Sequence, residues 1–163
     1  MRSEVQGDFP LTPHPLPSHT MQISFYFNVK NREQALCQLV GKALAAGKTL
    51  NVLTESAAAS AVLDRLLWEV PQHGFLPHCG ADDPRAAQTP IIIDHRPERL
   101  PSRPLLFNWT GQVASGFEGY ERVFEIVDTD PDSRAQARER WRAYQALGHT
   151  PDATDMQELA RNG

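Results

Sequence analysis

Apolar and polar positions alternate along this chain in blocks that change period from one to the next. In QISFYFNV (22–29) apolar side chains recur every second residue, with Ile23, Phe25 and Phe27 on one face, as in a half-buried strand. From Asn31 the period lengthens. Ala35, Leu36, Leu39, Val40 and Ala43 fall at helical spacing, and Asn31 with Gln34 three residues on reads as a capping box. LNVLT (50–54) is a second strand, and Ser56 is placed to cap a helix over AAASAVLDRLLWEV with Val62, Leu63, Leu66 and Leu67 turned inward. HGFLPHCGADDPRAAQ and HRPERLPSRP read as loops from their Gly, Pro and Asp content. Between them PIIID (90–94) is a short continuous apolar run, the mark of a strand buried on both faces. LLFNW (105–109) and RVFEIV (122–127) are further strands. A long helix follows over DTDPDSRAQARERWRAYQALG, with Asp130 as N-cap, Pro131 at its first position and Gly148 as its stop.

Strands separated by helices predict a mostly parallel sheet with helices on both faces, an α/β fold of the Rossmann-like class. The first strand is followed by NVKNRE, with no Gly-rich turn, so the dinucleotide fingerprint is absent. Three regions are expected: a disordered lead-in over 1–20, one folded domain over 21–150, and a polar tail over 151–163. The lead-in carries four prolines and no secretory apolar core, and Met21 is a candidate translation start.

One stretch mimics a phosphate-binding loop. GKALAAGKT (41–49) ends in Gly-Lys-Thr, but five residues separate its glycines where four are required, and it follows a helix and precedes a strand, the reverse of the required order. Gly47 reads instead as a helix stop, with Lys48 a cation at the helix end.

Bulk composition narrows the function classes. The chain has 163 residues, enough for one domain with a sizeable core, and a net charge of −4, which argues against a protein that is wholly a nucleic-acid binder. Two cysteines, Cys37 and Cys79, make neither a disulfide framework nor a metal cluster, and the composition fits a reducing, cytoplasmic compartment. Cys37 lies in a helical apolar pattern and reads as core. No apolar run reaches the length of a membrane span. The histidines have no partner at zinc-ligand spacing, no Gly-x-Ser-x-Gly elbow is present, and Asp82-Asp83 reads as a turn, so neither catalytic residues nor a cofactor is expected.

The last helix is distinctive. At 100° per residue Arg134, Arg138, Trp141, Arg142 and Gln145 fall within about a third of its circumference, while Ala137, Ala143, Tyr144 and Leu147 supply a packing face. Arg140 points off the stripe as a solvated or ion-paired residue. A charged stripe is commonly a solvated face. Arginine forks beside an exposed indole also suit an acidic peptide with an apolar end better than duplex DNA, which needs a larger basic surface.

FYFNV after Met21, LLWEVPQHGFLPH (66–78), PLLFNW (104–109), YERVFEIVD (120–128) and ARERWRAYQALG (137–148) occur in one order over about 21–150. In that ordered set the chain resembles the chi subunits of bacterial DNA polymerase III holoenzyme. The resemblance implies a Rossmann-like adaptor without nucleotide chemistry. It would pair with the small psi subunit, and so with the clamp loader, and bind the acidic C-terminal tail of single-stranded DNA-binding protein, which ends in Asp and Phe. Nucleic acid would be met only indirectly, and a membrane not at all. By motif, Arg138, Trp141 and Arg142 match the family's basic and aromatic positions, with Arg134 one turn earlier. Phe75 and Val127 match the apolar wall for the terminal Phe. The family also accepts Tyr at Trp141 and Lys at Arg142. Phe75 has plain core as its alternative role, and Trp68 and Tyr144 read as packing residues. Two competing classes are a degenerate nucleotide-binding enzyme on the same fold and a direct nucleic-acid binder.

Overall fold

A computed structural model describes residues 21–69 and 76–162. The first strand, β1 (Gln22–Val29), leads into helix α1 (Arg32–Ala45), strand β2 (Leu50–Leu53) and helix α2 (Ala57–Trp68). Short β3 (His78–Cys79), then β4 (Ile91–Asp94), β5 (Leu105–Asn108) and β6 (Arg122–Asp128) precede helix α3 (Pro131–Ala146). Strand β7 (Asp152–Asp155) and helix α4 (Met156–Asn162) close the described chain. The seven strands form one sheet in the order β3-β4-β2-β5-β6-β1-β7, and every pairing is parallel.

Two apolar layers follow from the side-chain alternation of the strands. On one face Leu36, Val40, Leu63 and Leu67, from α1 and α2, pack on Val52, Ile91, Ile93, Phe107 and Phe124, with Met156 of α4 at the margin. On the other, Ile23, Phe25, Leu106, Val123 and Val127 meet Phe117 and the Ala137 and Tyr144 side of α3. Every residue of β2, β4 and β5 is buried, as strands covered on both faces require.

Both long-helix ends close as the glycines predict. Gly47 and Gly148 take φ of +78° and +93°, where a Cβ would be strained. After each, the backbone folds back: Gly47 N–H and Lys48 N–H donate to Leu44 and Ala43 carbonyls, and Gly148 N–H and His149 N–H to Gln145 and Tyr144. This is the paired bonding of a Schellman stop. The Gly-Lys-Thr segment is therefore a helix exit. Lys48 lies beyond the last turn, which Lys42 occupies instead. Asn31, Ser56 and Asp130 each cap a helix, accepting from the N–H of Gln34, Ala59 and Ser133. Near its end β1 shifts register against β6 between Tyr26 and Val29, with Asn28 at φ +60°, a conformation that Asn tolerates better than most.

Several expectations differ from the structure. Val62, expected inward, is 68% exposed, because Leu63 and Leu67 define the buried stripe of α2. Leu147, expected to pack, is exposed at the C-cap, past the last helical residue. Of the segment expected as a loop from HGFLPHCG onward, residues 73–75 lie outside the described residues, and the part after them includes β3. The segment expected as a polar tail pairs β7 with β1, from Ser24–Asp152 to Phe27–Asp155, and then turns through α4. β7 has no large apolar side chain, so its pairing leaves no trace in the hydropathy pattern.

Candidate functional site

Helix α3 presents the candidate residues, and a buried polar network fixes which way it faces. Ala137, Arg140 and Tyr144 are its buried positions. Arg140 Nε donates to Glu125 Oε1 at 2.9 Å, while Tyr144 Oη and Asn108 Nδ2 donate to Glu125 Oε2. Glu125 is fully inaccessible. Burial pushes its carboxyl above the ordinary range, against the pull of Arg140, Tyr144 and Asn108. Burial likewise raises the Tyr144 phenol, and the neighbouring carboxylate adds to the effect. Of the two roles open to Arg140, ion pairing holds and solvation does not. The residue is 7% exposed, because it and Tyr144 lie one turn apart on the face that meets β6. A charged residue within the apolar run of RVFEIV was the available signal that a buried partner exists.

With that face pinned, the adjoining flank of α3, which shares Ala137 with it, borders a groove of about 200 Å³ lined by Phe25, Phe27, Val127, Arg134, Ala137, Arg138, Trp141 and Ala153. Its floor is aromatic: Phe25 is buried and its ring centroid lies 5.1 Å from that of half-buried Trp141. Arg134 and Arg138 are exposed at the rim, and among the described residues neither has an ion-pair partner. Four of the six site residues expected from sequence, Arg134, Arg138, Trp141 and Val127, thus line one groove. Arg142 does not line it; its guanidinium meets Glu139 at 2.9 Å on the solvent side. Phe75 lies outside the described residues. Sequence reasoning missed Phe25, Phe27, Ala137 and Ala153 as groove residues. Phe27 was legible as a strand-face residue, but only the sheet order puts that face beside α3 and β7.

The other candidates lie outside this groove. His78 has Leu76 O at 2.7 Å from Nδ1 and Asp64 O at 2.9 Å from Nε2. Trp68 is 54% exposed, with its ring centroid 4.2 Å from that of His78. Asp83 pairs with Arg85, and Asp82 with Arg96 and Arg99. Among the described residues no group of three His, Cys, Asp or Glu side chains could hold a metal ion, and no helix is long and apolar enough to cross a membrane.

Comparison with known proteins adds a family. Residues 21–152 match the profile described as DNA polymerase III chi subunit, HolC. Among curated proteins, the chain is 27% identical over 117 residues to "DNA polymerase III subunit chi" of Haemophilus influenzae, covering 71% of this chain and 81% of the relative. It is 29% identical over 118 residues to the protein of the same name from Pseudomonas aeruginosa, covering 72% and 82%. To that of Escherichia coli it is 26% identical over 117 residues, covering 71% and 80%.

Proposed function

We propose, from the premise that this chain belongs to the DNA polymerase III chi-subunit family, that its α3 groove reads the acidic C-terminal tail of single-stranded DNA-binding protein. Membership itself makes the chain an accessory subunit in DNA replication rather than the polymerising one. In the proposed role it is a non-catalytic adaptor, joined through psi to the clamp loader on one side and to the protein-coated single strand on the other.

One observation carries this reading: an acidic protein holds two arginines, Arg134 and Arg138, with no ion-pair partner among the described residues, at the rim of a groove floored by Phe25 and Trp141. The terminal Phe ring would enter the apolar floor, where aromatic pairs prefer tilted or offset contacts. The terminal carboxylate would meet the fork of Arg138, and upstream Asp side chains would meet Arg134. The groove does not suit duplex DNA. Two rim arginines cannot neutralise the many phosphates that DNA binding engages, and the chain's net charge opposes it.

The test is a calorimetric titration with an acidic peptide ending in Asp-Phe, alongside ATP and a single-stranded oligonucleotide. The peptide alone should bind. Truncating one member of a desolvated charge pair costs about 2–5 kcal/mol, so Arg138→Ala should weaken the peptide roughly 30-fold or more. Amidating the peptide C-terminus should cost wild type a similar factor and the variant little further. Co-purification with psi should survive Arg138→Ala. Wild-type affinity in Arg138→Ala, or tight ATP binding, would overturn the reading.

A further inference from the structure

The far side of α3 borders a second crevice, at the carboxyl ends of β5 and β6. It holds about 120 Å³ and is bordered by Arg32, Glu55, Trp109, Gly111, Gln136 and Arg140. In open parallel sheets this end of the strands is where ligands enter. An engineered cavity of about 150 Å³ takes a benzene molecule, so this space suits a small group and is too small for a nucleotide.

Its unusual member is Arg32, the first residue of α1. The side chain crosses to the sheet, where Nε donates to the Ile126 carbonyl at 3.0 Å and the guanidinium carbon lies 3.9 Å from the Trp109 ring centroid. Among the described residues no carboxylate comes within salt-bridge distance, and no hydrogen bond uses its Nη nitrogens. Arg140, across the crevice, has its charge met by Glu125. Arg32 is thus a partly desolvated cation, oriented by an indole and a carbonyl, whose outer edge has no acceptor among the described residues. Burial lowers its pKa, against the pull of the Asp128 and Glu33 carboxylates nearby. Arg103, another arginine whose pKa burial lowers, has both Nη nitrogens bonded to carbonyls, of Ala86, Thr89 and Pro90. Glu55, on the opposite wall, accepts the Gly111 N–H at 3.3 Å, and a ligand donor would complete its hydrogen bonding. The walls approach closely because residue 111 is glycine: a Cβ there would lie 3.3 Å from Gln136 Oε1 and 3.5 Å from Glu55 Oε2.

We propose that this crevice is a binding site for a small oxyanion, a carboxylate or phosphate group on a molecule no larger than an amino acid, held by the outer edge of Arg32. A hydroxyl or ammonium beside the anionic group would face Glu55. The site is separate from the peptide groove: Val127 borders both, but the groove arginines Arg134 and Arg138 do not line the crevice.

The experiment uses the full-length ¹⁵N-labelled chain, titrated at constant ionic strength with sodium phosphate and, separately, sodium acetate. The Trp109 indole N–H signal is the readout. A saturable shift with either anion is expected; phosphate alone assigns a phosphate-bearing ligand and acetate alone a carboxylate. Arg32→Gln should weaken binding about tenfold or more, through loss of a charge-assisted fork. Because that change also removes a tie between α1 and the sheet, Gly111→Ala is the second variant. It narrows the crevice with Arg32 intact and should also weaken binding. Arg138→Ala should leave this titration unchanged while weakening the peptide, which separates failure here from failure of the adaptor reading. Linear, non-saturating shifts with both anions, or saturable shifts of equal midpoint in wild type and Gly111→Ala, would overturn the proposal.

Discussion

Replacing Arg140 by Ala gives the most discriminating stability test, because its partner cannot escape. Glu125 is inaccessible to solvent, and its Oε1 has Arg140 as its side-chain donor, while Oε2 keeps Tyr144 and Asn108. Removing one member of a buried pair costs about 3–5 kcal/mol, since the remaining charge keeps its desolvation penalty. The two surviving donors put the expected loss near the lower end, about 3 kcal/mol. For a chain of this size about 1 kcal/mol moves the melting temperature by roughly 2–4 °C, so the variant should melt about 6–12 °C below wild type. The loss should also depend on pH. In the variant, burial holds the Glu125 carboxyl even further above its unfolded value. The loss relative to wild type is therefore fully present above the variant's raised folded value and shrinks as pH falls through it toward the lower folded value of wild type. Urea unfolding monitored by circular dichroism at several pH values between 5 and 8 would measure both. In a cycle with Glu125→Ala, the double variant should cost clearly less than the sum of the singles. A loss below about 1 kcal/mol, or one constant across that pH range with additive singles, would mean that the pair is not what holds α3 to β6.

Three further outcomes are expected. Peptide affinity should fall but not vanish between low and high salt, as measured by fluorescence anisotropy, because exposed Arg134 and Arg138 are screened and the aromatic floor is not. Gly148→Ala should lower stability by about 1 kcal/mol or somewhat more in urea melts, because φ of +93° is costly for any residue with a Cβ. Lys48→Ala should change stability by less than about 0.5 kcal/mol and create or abolish no ATP turnover, since Lys48 follows a helix stop.

Local signals were readable in the sequence wherever the cause is local. The period-two face of Ile23 and Phe25, the caps at Asn31, Ser56 and Asp130, and the glycine stops at 47 and 148 all act within a few residues of themselves. The arginine stripe was readable for the same reason, because helical spacing alone brings Arg134, Arg138 and Trp141 together. What the sequence hid depends on partners far along the chain. Arg140 reads as either solvated or ion-paired until β6 brings Glu125 beneath it. Arg142 looks like a member of the stripe until Glu139, three residues earlier on the solvent face, takes its charge. The DATD segment has no apolar alternation, so only backbone bonding to β1 makes it a strand, and only that strand brings Ala153 to the groove.

The placement of β1 sets a timetable for the nascent chain. The strand is made first, yet its neighbours are β6 and β7: Gln22 pairs with Arg122, one hundred residues later, and Ser24 with Asp152. At synthesis rates of about 5–20 residues per second, β1 waits roughly 5–20 s with both edges bare. Its run of Ile23, Phe25 and Phe27 is the kind of exposed edge on which chains associate wrongly. Its pairings are also long-range contacts that slow folding. The groove proposed for the peptide, floored by β1 and bordered by β7, can therefore form only when almost the whole chain has emerged. A half-made protein cannot compete with finished copies for the replication partner they are proposed to share.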